Sequence, residues 1–155
     1  MLIRAKGVAL MLVLLVTTGG GAKDAQPEAV PKLDGKKTYE EFRASIQSFP
    51  YTAPRERRDR IVQGYSTLDV GMTKDNVARV IGEPDYSRLS YGPKGPRMTW
   101  QGSSWVYYLS KRDDGANTRD AIVHVSFNTD DRAVWIKAEN IEGLREKGTP
   151  STPRL

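Results

Sequence analysis

Few side chains in this chain of 155 residues could do chemistry. His124 is the only histidine and there is no cysteine. No second imidazole and no thiolate therefore exists to complete a soft metal site or a nucleophile–base pair. On an alternating strand His124 shares a face with Ile122 and Ser126, away from Val123 and Val125, which makes it a sheet-face histidine. Ser103 and Ser104 follow Gly102, but no Gly-x-Ser-x-Gly turn surrounds them and the strand pattern continues. Acids gather at 113–120 and 128–131. Neither run has the spacing of acids, glycine and closing Glu of a calcium loop, and Asp, Asn and Gly are what tight turns use. No glycine-rich loop joins a strand to a helix at phosphate-binding spacing. These residue types ask for no catalysis, no metal and no cofactor.

Binding chemistry is better represented. Trp105, Tyr107 and Tyr108 form an aromatic run, with Trp100 and Trp135 nearby in the sequence. On a strand, Trp105, Tyr107 and Leu109 point to one face and Val106 and Tyr108 to the other. One set is expected to fill the core. The other is left exposed unless something covers it, and an exposed aromatic patch marks a partner site. Tyr39, Phe42, Ile46 and Phe49 make an apolar stripe at helical spacing, which can dock on the chain's own core or on a partner. Trp105, Tyr107, Tyr108, Phe42 and Ile46 are the candidate partner surface.

Charge sets limits on the partner. The chain carries 24 basic and 19 acidic residues, a formal +5. Setting aside Arg4 and Lys6, the only charged groups of the first 22 residues, leaves 22 against 19. That excess is too mild for nucleic acid and is compatible with a weak contact to anionic lipid or glycan. The run Arg55-Glu56-Arg57-Arg58-Asp59-Arg60 is expected to be a solvated helix face, or a site for anionic headgroups or polysaccharide.

The elements that position these residues follow in order. Residues 1–22 have the charge order of a secretory leader. Arg4 and Lys6 precede the apolar run 8–16, and small residues end it at 17–22. The run is shorter than the about 20 residues of a membrane span, and it can be cleaved or kept as an anchor. Residues 23–37 read as a tether. A capping box, Thr38 with Glu41, opens a helix over 38–49. A second helix is expected over 54–65. In the stretch 68–86, Gly71 allows a turn, Thr73 caps a third helix, and Val77, Val80 and Ile81 form its apolar face. Gly82 and Pro84 end it. Residues 91–96 are a loop, followed by a short edge strand around 97–101. Strands over 104–111, 121–127 and 133–138 are joined by turns short enough to require antiparallel hairpins. Residues 142–155 are a polar tail. The expected fold is α+β: two or three N-terminal helices packed on one face of a three- to four-stranded antiparallel meander.

The stretch Leu68-Asp69-Val70-Gly71-Met72-Thr73, then Val77, then Val80-Ile81-Gly82-Glu83-Pro84, resembles the SmpA/OmlA (BamE-like) family of small outer-membrane proteins. The aromatic strand 105–109 and the pattern 123–136 resemble that family's later strands. The likeness covers about residues 68–138. It implies a helix pair on an antiparallel sheet, of the kind seen in β-lactamase inhibitor protein. It also implies a non-enzymatic role in outer-membrane assembly or integrity, envelope-protein partners, and a place in the periplasm or at the outer-membrane periphery. Val70, Gly71, Met72, Thr73, Val77, Gly82 and Pro84 carry the likeness and are structural residues. Lipoprotein members have a cysteine after the apolar run, where this chain has Thr17-Thr18-Gly19-Gly20-Gly21-Ala22. An inhibitor-like binder of a periplasmic protein and an enzyme of unrecognised type are the alternatives.

Overall fold

The structure is a computed structural model that describes residues 34–91 and 100–149. The leader, most of the tether, the loop at 92–96 and the end of the tail lie outside the described residues. Helices α1 (Tyr39–Ser45), α2 (Arg55–Tyr65) and α3 (Lys74–Ile81) accompany strands β1 (Tyr51–Thr52), β2 (Tyr86–Tyr91), β3 (Trp100–Lys111), β4 (Ala121–Phe127), β5 (Ala133–Glu139) and β6 (Lys147–Gly148).

All strand pairs are antiparallel. β3 is the spine. β4 runs along one edge of it, followed by β5 and β6. Its other edge is shared: β2 pairs with residues 100–106 and β1 with Ser110 and Lys111. Asp85 fills the gap between them, its carboxylate accepting the Tyr108 N–H at 2.6 Å. Burial pushes the Asp85 carboxyl up from its ordinary value, and the Arg57 guanidinium at 3.0 Å opposes that.

This architecture overturns the expected fold in two respects. The sheet has six strands where three or four were expected. The helices do not stand together ahead of the sheet on one of its faces, because β1 falls between α1 and α2 and α1 covers the opposite side. The cause is β3, buried without interruption from Gly102 to Leu109. Large apolar side chains leave it in both directions, so both faces need a cover. Trp105, Tyr107 and Leu109 pack with Ile61 and Tyr65 of α2, Val77 and Ile81 of α3, and Val123, Val125 and Ile136 of the sheet. Val106 and Tyr108 pack with Phe42 of α1 and with Tyr86 and Ile122.

The charged start of α2 does more than face solvent. Arg57 donates to the Glu83 carbonyl at 3.0 Å as well as pairing with Asp85. Arg60 donates to the carbonyls of Ala78, Arg79 and Val80 at 2.9–3.2 Å. Those groups lie in the last turn of α3, where carbonyls run out of intrahelical donors, and the Ala78 carbonyl also accepts the Gly82 N–H. Only Arg55 and Asp59 form an exposed pair, at 3.5 Å.

Where α2 meets α3, Gly64 lets the helices close. A Cβ there would lie 2.8 Å from Ile81 Cγ2 and 3.0 Å from Val80 Cγ1. Gly64→Ala gains helix propensity but forces these side chains aside, and a net loss of about 1–2 kcal/mol is expected. Urea denaturation tests this; a stabilised variant would mean that the helices slide apart freely.

Residues 141–149 return to the body of the fold. Leu144 packs on the core, the Tyr65 hydroxyl donates to the Arg145 carbonyl at 2.9 Å, and β6 pairs with Trp135 and Ile136.

Candidate interaction surface

The structure divides the expected partner surface between two cores. Trp105 and Tyr107 lie under α2 and α3, with 2% and 0% of their surface exposed. Tyr107 donates its hydroxyl to the Gly82 carbonyl at 3.2 Å, and burial raises its phenol. Phe42 and Tyr108 meet on the other side, stacked with centroids 5.2 Å apart. Ile46 is half-buried against the same cluster. The exposed sheet face and the apolar helix, which the sequence offers as two contacts, thus cover each other. α1 is held by its capping box, with Glu41 accepting the Thr38 N–H at 2.7 Å. Arg43 pairs with Asp114.

The motif residues form one joint. Gly71, at φ 90°, donates its N–H to the Ala133 carbonyl at 2.7 Å, and Ala133 donates back to Met72 at 2.8 Å. Thr73 bridges to Arg132 and caps α3 by accepting the Asn76 N–H. Val77 is fully buried, and Gly82 closes the helix through its N–H to Ala78 at 2.9 Å. Pro84 is half-buried, and Val70 stands exposed beside them.

α1 covers only part of its sheet face. The strand register orders that face in rows. Tyr108, Ile122 and Glu139 make the first row. Tyr86, Val106, His124 and Lys137 make the second, and Arg88, Ser104, Ser126 and Trp135 the third. The cover reaches Tyr86, Val106, Tyr108 and Ile122. Beyond it a shallow cleft of about 210 Å³ opens around Arg88, Ser104, Ser126 and Trp135. Ser104 is central, its hydroxyl 3.1 Å from that of Ser90 and 3.0 Å from that of Ser126. The Trp135 indole N–H donates to Glu146 at 2.6 Å, which fixes the ring. Tyr91 and Trp100, both exposed, flank the strand ends.

Sequence reasoning missed this group. The shared face of Ser126 and His124 is readable, but 85–103 reads as a stretch rich in Gly, Pro, Ser and Arg with a loop at 91–96 and no strand before it, so the partner strand goes unseen. The alternation in Tyr86-Ser87-Arg88-Leu89-Ser90-Tyr91 was the available signal. Of the edge strand expected around 97–101, residues 97–99 lie outside the described residues, and Trp100 and Gln101 open β3.

His124 borders the cleft with 13% of its side chain exposed. Burial, then the positive charges of Arg88 and Lys137, push its pKa down from 6.5 to about 4, against the opposing pull of Glu139. Because the folded value is the lower one, the unfolded chain takes up the proton first. Stability is full above pH 6.5 and is lost as the pH falls from there towards 4. The shift corresponds to a loss of about 3 kcal/mol across that window. His124→Gln is expected to flatten that part of the stability-versus-pH curve, measured by denaturant titration. An unchanged acid slope would show that His124 titrates normally.

Among the described residues no three His, Asp or Glu side chains converge as a metal site. No helix among them is long and apolar enough to cross a membrane. Compared with protein-family models, curated proteins and solved structures, the chain matches none.

Proposed function

We propose that this chain is an exported, non-enzymatic interaction module of the bacterial cell envelope, akin to the SmpA/OmlA proteins that support outer-membrane assembly and integrity. One observation carries the reading. The resemblance lies in two pieces of sequence about 50 residues apart, the stretch 68–84 and the final hairpin. These pieces are hydrogen-bonded to each other through Gly71, Met72 and Ala133. The likeness therefore corresponds to one physical joint, with a reason for its residues to occur together. The charge order of residues 1–22 supports export, and the small net charge favours protein partners over nucleic acid.

The test is photocrosslinking in cells from a reactive residue placed at the exposed position Val70, next to the joint. Capture of an outer-membrane assembly or envelope-integrity protein is the expected result. Capture of a single soluble hydrolase instead would overturn this reading in favour of an inhibitor-like binder.

A further inference from the structure

The geometry points to a binding cleft for an acidic sugar on the uncovered part of the sheet face. Arg88 would partner its carboxylate, the Ser90–Ser104–Ser126 row its hydroxyls, and Trp135 its ring. The inference stands apart from the protein-partner reading, which uses the Val70 side of the fold.

Four observations carry it. The first is the serine row. Three hydroxyls supply three protons, and two O···O links use two of them. One proton and the outer lone pairs remain, a mixed set that suits ligand hydroxyls, which also donate and accept. Ser104 is 3% exposed and bonded on both sides, so the row is pre-ordered and loses little freedom on binding. The second is Trp135. Its N–H is already committed to Glu146, so what it offers is its ring, an apolar platform of the kind that lines small-ligand sites.

The third is charge. Arg88 makes no ion pair among the described residues, while Lys137 and Glu139 neutralise each other at 2.9 Å. His124 is neutral above about pH 4. One unspent guanidinium fork remains, the match for a single carboxylate held bidentately. The fourth is size. At about 210 Å³ the cleft is smaller than the roughly 300–1,000 Å³ of drug-sized sites. It has room for one sugar ring, and its serine-lined floor does not suit an acyl chain.

The probes are β-1,4-linked tetraglucuronate and cellotetraose, which differ in the carboxylate at C6, titrated into the ¹⁵N-labelled protein and followed by NMR. Tetraglucuronate is expected to shift the Trp135 indole and the Ser104 and Ser126 amides saturably. It should bind at least tenfold more tightly than cellotetraose. Arg88→Gln, at an exposed position, should erase that preference while the melting temperature stays unchanged, and Trp135→Leu should weaken both probes. The proposal is overturned if these resonances do not shift saturably or if Arg88→Gln binds tetraglucuronate as well as the parent. It is also overturned if tetraglutamate binds as tightly as tetraglucuronate, since the cleft would then read a carboxylate without a sugar. None of these failures touches the crosslinking result at Val70.

Discussion

Lys111→Met is expected to destabilise the protein by about 3–5 kcal/mol, the usual consequence of stripping one partner from a buried ion pair. Lys111 is 0% exposed and Asp120 1%, with Nζ and Oδ2 3.5 Å apart. The ammonium also donates to the Gly115 carbonyl and lies 5.5 Å from the centre of the Tyr108 ring and 5.9 Å from that of Tyr39. It therefore links the β3–β4 turn to the aromatic cluster beneath α1. Methionine nearly fills the same volume, so the loss measures the stranded Asp120 carboxylate rather than a cavity. That carboxylate keeps only the Arg112 N–H, at 2.8 Å. Adding Asp120→Asn removes the charge while keeping an acceptor for Arg112, and the double variant should recover at least 2 kcal/mol of the loss. Urea denaturation of the two single variants and the double one gives the coupling directly. A loss under about 1 kcal/mol for Lys111→Met would mean that water reaches Asp120.

Gly102→Ala is the second large effect, about 3–4 kcal/mol. Gly102 sits in β3 at φ 127°, and a Cβ there would lie 2.0 Å from the Phe127 carbonyl oxygen. Both the conformation and the contact exclude a side chain. Strain of this kind costs about 1–3 kcal/mol, and relieving the clash separates β3 from β4 next to the serine row. Gly115→Ala is the control: its nearest neighbour would be the Asp113 carboxylate at 3.5 Å, and a change within about 0.5 kcal/mol is expected. Equal melting temperatures for the two variants would contradict the packing described for Gly102.

How much of this could be read in advance varies with the element. α3 carries its own punctuation in Thr73, Gly82 and Pro84, and it forms over Lys74–Ile81 as those signals require. β4 follows from alternation, whereas β5 breaks it at Val134, which the register skips, so that Ala133 and Ile136 face one core. The sequence predicts α1 over 38–49, with Pro50 as its stop, but the helix ends at Ser45. The chain leaves the helix at Ile46, which is extended at φ −81° and ψ 117°. Periodicity shows that Phe42 is buried but not against which side of a sheet. The two-sided apolar pattern of β3 held that answer, since Tyr108 needs a cover as much as Tyr107 does. β2 and β6 were hidden for a different reason. Polar residues occupy half of β2, and β6 is two residues long, so register with a neighbour defines them more than composition does. The cleft inherits that difficulty, being assembled across four strands from residues unremarkable in isolation.

The claim of export is tested most directly by fractionating cells that express the chain at native level and measuring the intact mass of the product. The account predicts recovery from the envelope or periplasm, with the leader removed or retained as an anchor, and none in the cytosol. A soluble cytosolic product still carrying residues 1–22 would contradict it.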